Sequence, residues 1–327
     1  MDAASRDRPV LVTGATGAVG KAMVPHLAAA GWTPRCGSRD PARARATAPG
    51  HAWVRVDVDD PATLAPALEG CGAALYLVHG MADGKGYLER ERAAARAFAR
   101  AAAAAGVQRV VYLGGIEPPG APSTHLRSRL ETGALLREGA APCVELRAGM
   151  VIGGGSVSWR IVRDIAVRLP VQVLPAWLET RSQPIALADI CVALEAALSV
   201  PLDGPSAVFD LPGPEILTGR EILLRVGALL DQRPVQVPVP LLTPGLSAHW
   251  LRVVTRADPA VAKELVHGLS HDLLADGAGF WAHLPDHTRT PFDVAARAAL
   301  AAESETVSRR SLRVERVIHR AAKWMGR

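Results

Sequence analysis

"TGATGAVG", residues 13 to 20, is the stretch whose reading decides the fold. It follows a short apolar run, Pro9 to Val12, and opens a segment of helical composition, Ala18 to Ala30. In a strand-to-helix turn the three glycines have separate roles. Gly14 permits the tight bend, Gly17 lets main-chain amides approach a diphosphate, and Gly20 lets the helix pack closely on the strand. The amides of this stretch, including those of Thr16, Ala18 and Val19, would then meet the anion at the positive end of the helix. A glycine triplet alone is a weak signal. The strand before it and the helix after it make dinucleotide binding the expectation.

The same alternation continues outward. TPRCGS (33–38), HAWVRVD (51–57), AALYLVHG (73–80), a long helix from Tyr87 to Ala105, RVVYLGG (109–115) and PCVELRAG (142–149) read as strand, helix, strand, repeated. Strands apolar at successive positions belong to a sheet covered on both faces, so the expected class is α/β, a Rossmann-type doubly wound parallel sheet with a small C-terminal substrate-binding region. Gly31, Gly70, Gly106 and Gly139 fall just past the predicted helices, and Asp60 with Pro61 reads as an N-cap and first turn.

Residues 1–150 are expected to form the NAD(P)-binding Rossmann domain. From 151 to 300 the alternation loosens into Pro-rich connections, LPVQVLP and VPVPLLTPG, with a capping box at Thr218–Glu221. This part reads as the substrate-binding region, interleaved with the last strands of the sheet. Residues 301–327 read as a basic C-terminal helix or tail, with Val314, Val317, Ile318, Ala321 and Met325 at helical spacing; it either lies on its own domain or meets a membrane surface or partner chain.

Composition bounds the function. The chain has 327 residues, 49% of them hydrophobic, and a formal net charge of +5. An excess that small suits an anionic small ligand and gives no reason to expect nucleic acid. No run of eighteen apolar residues occurs and no hydrophobic leader precedes the glycine motif, so no transmembrane segment and a cytoplasmic location are expected. Cys36, Cys71, Cys143 and Cys191 form no CxxC pair and read as buried thiols. Heavy Arg and Ala usage is associated with GC-rich bacterial genomes, where such enzymes often serve secondary metabolism. A small-molecule substrate is the expected partner, and self-association is left open.

The GxxGxxG spacing, together with YLVHGM (76–81), VVYLGGIEP (110–118), HLRSRLETG (125–133), LRAGMVIGGGS (146–156), QPIALADI (183–190) and VPVPLLTPGLSAHW (237–250), resembles the NmrA-like branch of atypical short-chain dehydrogenases/reductases. The likeness spans most of the first 270 residues. It implies an NAD(P)-binding Rossmann domain and a small C-terminal substrate region, in a branch whose reactions are mostly unassigned. It also implies that Asp57, through its carboxylate, and Val58, through its backbone, hold an adenine. NAD-preferring members carry an acid at the end of the second strand, where this chain has Arg39, a partner for a 2′-phosphate. NADP(H) is therefore the preferred cofactor, with Asp40, one residue late, keeping NAD(H) as the alternative.

Active short-chain reductases use a serine after the fifth strand and Tyr-x-x-x-Lys on the next helix. Here the strand ends in Gly114 and Gly115, and the helix carries His125 and Arg129. Spaced i and i+4, these two share one helix face. Three readings remain open: His125 is a general acid in a modified reductase, the pair only anchors cofactor or substrate, or both are ordinary residues of a helix start. Arginine cannot release a proton. His79, Lys85 and Tyr87, beyond the fourth strand, fall at the same sheet edge, with His79 the best of the three. Tyr76 and Tyr112 read as core. Gly153 to Gly155 with Ser156 read as a flap over the substrate or a turn with unusual backbone angles. His267 and His271 with Asp272 have metal-ligand spacing but lack the glutamate of the zinc-protease motif, and no metal is expected. The leading expectation is an NADP(H)-dependent oxidoreductase acting on a small organic carbonyl, quinone or conjugated alkene. The alternatives are a non-redox isomerase or dehydratase and an NmrA-like dinucleotide sensor, which fold alone does not separate.

Overall fold

The structure, a computed structural model, describes residues 6–79, 86–168, 171–232, 235–238, 271–275 and 277–306. Lys85, His267, the tail beyond 306 and most of the 237–250 stretch lie outside these residues.

The chain runs β1 (Val10–Val12), α1 (Ala18–Ala29), β2 (Pro34–Ser38), α2 (Pro41–Thr47), β3 (Ala52–Arg55), α3 (Leu64–Leu68), β4 (Ala73–Tyr76), α4 (Tyr87–Ala104), β5 (Arg109–Gly115), α5 (Thr124–Arg137) and β6 (Cys143–Ala148). Then come β7 (Val151–Ile152), α6 (Val157–Arg168), β8 (Val171–Leu174), β9 (Arg181–Ser182), β10 (Ile185–Ala186), α7 (Leu187–Ala196), β11 (Ala207–Leu211), β12 (Leu217–Thr218), α8 (Gly219–Leu229), β13 (Val235–Pro238) and α9 (Phe292–Thr306). Seven strands form one parallel sheet in the order β11-β6-β5-β4-β1-β2-β3. The order reverses at β1, which pairs β2 on one side and β4 on the other, with Val10 opposite Pro34 and Ala73. A crevice opens beyond the carboxyl ends of strands at such a switch point.

Every residue of β1, β4 and β5 is buried, because both faces of the sheet are covered. Alternate residues serve alternate cores, as the two-residue strand period requires. Val10 and Val12 pack with Met23 and Leu27 of α1, whereas Leu11 packs with Tyr76, Phe98 and Tyr112 on the opposite face. The alanines of α4 allow that helix to lie close to the sheet, and Phe98 meets the edge of Tyr76 with ring centroids 4.9 Å apart.

Helix ends agree with the sequence punctuation at Gly31, Gly70 and Gly106, each at positive φ just past α1, α3 and α4. Asp60 and Pro61 also stand at an N-cap and first turn. Pro61–Thr63 is a 3₁₀ turn, and the Asp60 carboxylate makes no cap bond; it lies 3.6 Å from Arg55. Thr218 and Glu221 do form the capping box. In the C-terminal part, α6, α8 and α9 share a core built on Trp159, Ile222, Val226, Phe292 and Ala296. β11 returns from this part to complete the main sheet beside β6. All four cysteines are buried free thiols. Among the described residues no helix is long and apolar enough to cross a membrane.

Candidate functional site

The site begins where β1 becomes α1. Thr13 is fully buried; its Oγ1 donates to the Leu75 carbonyl at 3.0 Å and accepts from the Leu77 amide at 2.9 Å, which fixes β1 against β4 at the turn. Gly14 follows with φ +65°, and a Cβ there would lie 2.8 Å from the Leu77 oxygen. At Gly20 a Cβ would stand 2.3 Å from the Gly14 oxygen, so the closeness of helix and strand requires glycine. One detail was not legible in the motif. The Gly17 amide is taken by the Gly14 carbonyl at 2.9 Å, and the first helical bond runs from Lys21 to Gly17. No side chain caps Gly17. The amides of Ala18, Val19 and Gly20 therefore precede the helical ladder and are the donors available to an anion.

From this turn a cleft of about 990 Å³ extends in both directions and brings together all the residues singled out for cofactor binding: Gly14, Thr16, Gly17, Ala18, Val19, Gly20, Arg39, Asp57 and Val58. Arg39 lines it directly after β2. Asp40 is occupied elsewhere: its Oδ1 accepts from the Arg43 amide at 3.0 Å and caps α2. Asp57 is set by Thr63, whose Oγ1 accepts from the Asp57 amide at 3.0 Å, and its Oδ1 accepts from the Asp59 amide at 3.2 Å.

At the other end of the glycine turn, His79, His125 and Arg129 line the same cleft, as does Tyr87 at the start of α4. Ser123 caps α5, accepting from the Leu126 amide at 3.3 Å, so the helix starts just before His125. Arg129 is pinned: its Nη2 donates to the carbonyls of Leu113 at 3.0 Å and Gly114 at 2.8 Å. A Cβ on neighbouring Gly115 would meet Leu126 at 2.7 Å, so the glycine pair lets α5 approach the end of β5. Tyr112 is core, as expected; its hydroxyl donates to the Arg129 carbonyl at 3.0 Å, and burial pushes its pKa up.

Burial, followed by the Arg129 charge, pushes the His125 pKa down to about 4. His79 is held well below the usual histidine range by burial, then by Arg129 and His125. Its Nδ1 is buried with no hydrogen-bond partner among the described residues. At neutral pH this end of the cleft thus holds two uncharged imidazoles beside the fixed Arg129 cation, with Arg90 and Glu91 of α4 also lining it.

Beneath α5 lies a group that sequence reasoning missed. Glu145 is fully buried between Arg137, 2.8 Å from its Oε2, and Arg147, 2.9 Å from its Oε1. It fills the space a Cβ on Gly133 would need, 2.3 Å away. The stripe His125, Arg129, Gly133, Arg137 is one face of α5 at four-residue spacing, so this buried pairing seats the helix that carries the two cleft residues. An acid and an arginine inside an otherwise apolar strand, CVELRA, were the available signal.

Past His125 the cleft continues into a chamber walled by Ile161, Val162 and Ile165 of α6, by Ile222 and Leu223 of α8, and by Leu178 and Leu273. Its polar lining is hydroxyl: Ser156, Ser158, Thr180 and Ser182. None of the described residues lining it from Ala148 onward is charged. The helical spacing of 161 and 165 was visible in sequence, but its destination was not. Gly155, at φ +81°, is part of a turn whose Ser156 Oγ donates to the Val151 carbonyl at 2.9 Å. Asp272 is engaged by Arg181, 2.7 Å away.

The sequence model of the family described as NAD(P)H-binding matches residues 14–163, from the glycine turn through α6. This part of the chain is similar to NAD(P)H-binding domains. No curated protein matches the sequence. The matched part and the region after it share their fold with the NADP(H) complex of Citrobacter sp. triphenylmethane reductase, at TM-score 0.70 and 16% identity over 89% of this chain and 99% of that one. The NADPH complex of the Escherichia coli NADPH-dependent quinone oxidoreductase aligns at TM-score 0.69 and 20% identity over 90% and 99%. A nucleoside-diphosphate-sugar epimerase of Staphylococcus aureus aligns at 0.69 and 15% over 88% and 98%. The resemblance to atypical, NmrA-like short-chain reductases agrees with this match, and the architecture is one shared by reductases and epimerases.

Proposed function

We propose that the protein is an NADP(H)-dependent reductase of small, uncharged, largely apolar acceptors: an organic carbonyl, a quinone or a conjugated alkene. One observation carries this reading. A single cleft joins the unsatisfied amides of α1 and the Arg39 side chain to a hydrocarbon chamber, with the fixed charge of Arg129 at their junction. The first half suits a dinucleotide, because the close packing that glycine permits at positions 14 and 20 sets the start of α1, with the amides of Ala18, Val19 and Gly20 outside the helical ladder, at the end of β1.

In this reading the amides of Ala18, Val19 and Gly20 hold the diphosphate. Arg39 pairs the 2′-phosphate, and its favoured role is supported by the commitment of Asp40 to the cap of α2. Asp57 and Val58 flank the adenine. NADPH supplies the hydride when bound. Arg129 offers positive charge where negative charge develops on the acceptor, already oriented by two carbonyls and so needing no rearrangement. His79 and His125 orient substrate or cofactor by hydrogen bonding as neutral imidazoles. The anchoring role of the His125–Arg129 pair is favoured over an imidazolium acid, because burial and Arg129 both oppose the protonated form.

Among the described residues no cation lines the chamber, whereas the diphosphate of a nucleotide sugar calls for cationic partners. A sensor without turnover gives no account of a chamber built beside the dinucleotide half. The test is calorimetric titration with NADPH and NADH, then NADPH absorbance followed with uncharged quinones, enones and aldehydes, beside a UDP-sugar control. Tight NADPH binding with turnover of an apolar acceptor is expected. Interconversion of the sugar with no loss of absorbance for any acceptor overturns the reading.

A further inference from the structure

We infer that Leu273 sets the size of acceptor the chamber admits, and that Asp272 is the positioning residue that holds it in place; the inference rests on the reductase reading above. Leu273 reaches the chamber from the short segment 271–275, far along the chain from the helices that build the other walls. Its backbone is held at several points. The Leu273 amide donates to the Arg181 carbonyl at 2.8 Å, Leu273 pairs with Ser182 as a parallel bridge, and the Ala275 amide donates to the Gln183 side-chain oxygen at 2.8 Å.

Asp272 adds a clamp from the side. Its Oδ1 accepts from the Arg181 amide at 2.7 Å, and its Oδ2 accepts from Arg181 Nη2 at 2.7 Å and Nε at 2.9 Å. The pair is partly exposed, with the two side chains 55% and 33% accessible, so as an ion pair it adds little to stability. What it contributes is position. β9 is pinned on its other edge by β12, which leads into α8, so Leu273, Ile222 and Leu223 stand on one connected framework. At the far end of the segment, the His271 ring lies where a Cβ on Gly120 would be, 2.6 Å from its Nε2. The segment thus crosses from the substrate region to the loop after β5, and Leu273 is the apolar side chain it presents to the cleft.

A wall fixed by main-chain pairing cannot yield to a larger guest as a free loop side chain would. Removing the Leu273 hydrocarbon enlarges the chamber, and a larger side chain at 273 excludes bulk. The experiment compares wild type, Leu273→Ala, Leu273→Trp and Asp272→Asn with NADPH and two uncharged acceptors, 1,4-benzoquinone and 2-methyl-1,4-naphthoquinone. The ratio of kcat/KM for the bulky over the small quinone should rise about tenfold in Leu273→Ala and fall about tenfold in Leu273→Trp. Asp272→Asn should move the ratio in the same direction as Leu273→Ala, although Leu273 is intact, and the NADPH Kd should stay within about twofold in all variants. Unchanged ratios in both Leu273 variants overturn the inference. If no acceptor is turned over, the reductase reading fails by itself, and Nile red titrated into the cofactor-free protein decides the inference. Binding about tenfold weaker in Leu273→Trp sustains it, and equal binding overturns it.

Discussion

Acidification is expected to destabilise this protein through His125, and the sign and size follow from its surroundings. Burial and the neighbouring Arg129 lower its pKa from 6.5 to about 4. Above pH 6.5 the imidazole is neutral in both folded and unfolded chains and contributes nothing to the pH dependence. As pH falls below 6.5 the unfolded chain takes up a proton that the folded protein does not, so stability is lost until pH reaches the folded value, about 4. Each unit costs about 1.4 kcal/mol, which gives about 2 kcal/mol by pH 5 and about 3 kcal/mol by pH 4. His125→Gln removes the titration while keeping a polar side chain of similar reach. Urea midpoints for wild type and variant, measured across this range, should show the variant gaining about 2 kcal/mol on wild type between about pH 7.5 and about pH 5. Parallel stability curves would show that His125 titrates as an ordinary exposed imidazole, and the neutral-imidazole account of the site would be wrong.

Other variants probe other parts of the cleft. Arg39→Ala should weaken NADPH by about tenfold to a hundredfold, the worth of a charge-assisted contact, and leave NADH within about twofold; equal losses for both by calorimetry would remove Arg39 from the 2′-phosphate. Gly14→Ala places a side chain at φ +65° and 2.8 Å from the Leu77 oxygen. It should cost at least about 1–2 kcal/mol in thermal unfolding and abolish NADPH binding, and a wild-type Tm with intact binding would refute the tight-turn argument. Arg129→Met keeps much of the side-chain bulk but not the charge. A fall in kcat of about a hundredfold is expected in steady-state assays, and an unaltered kcat would rule out electrostatic assistance at the junction.

Much of the architecture was legible because it is local. Continuous burial of Val10–Val12, Ala73–Tyr76 and Arg109–Gly115 requires a sheet covered on both faces, and runs of that kind announce themselves in sequence. The glycine turn, Arg39 and the four-residue spacing of His125 and Arg129 were readable for the same reason. What was hidden depends on contacts between distant segments or on competition for a group. Asp40 could serve a ribose or a helix cap, and the bond from the Arg43 amide to its Oδ1, which makes it a cap, is a contact the sequence does not display. Asp60 before proline looks like a side-chain cap, and it does stand at the N-cap of a 3₁₀ turn that leads into α3, yet its carboxylate makes no cap bond. Leu178, Leu223 and Leu273 line one cleft from three stretches of the chain whose composition carries no hint of their meeting. Glu145 looked like an irregularity in a buried strand until its two arginines came into view.

The last strand of the main sheet comes late. β11 pairs with β6 only after the chain has built α6 and α7, and Arg109 at the start of β5 donates to the carbonyls of Ala197 and Val200 at 3.3 Å. A fragment cut at residue 163, where the family match stops, would leave the backbone edge of β6 bare and the guanidinium of Arg109 stranded. The two halves are therefore not interchangeable cassettes. Grafting new selectivity onto this scaffold would have to proceed by exchanging wall-forming loops and helices around an intact sheet, β11 included, and not by joining one half to a foreign counterpart.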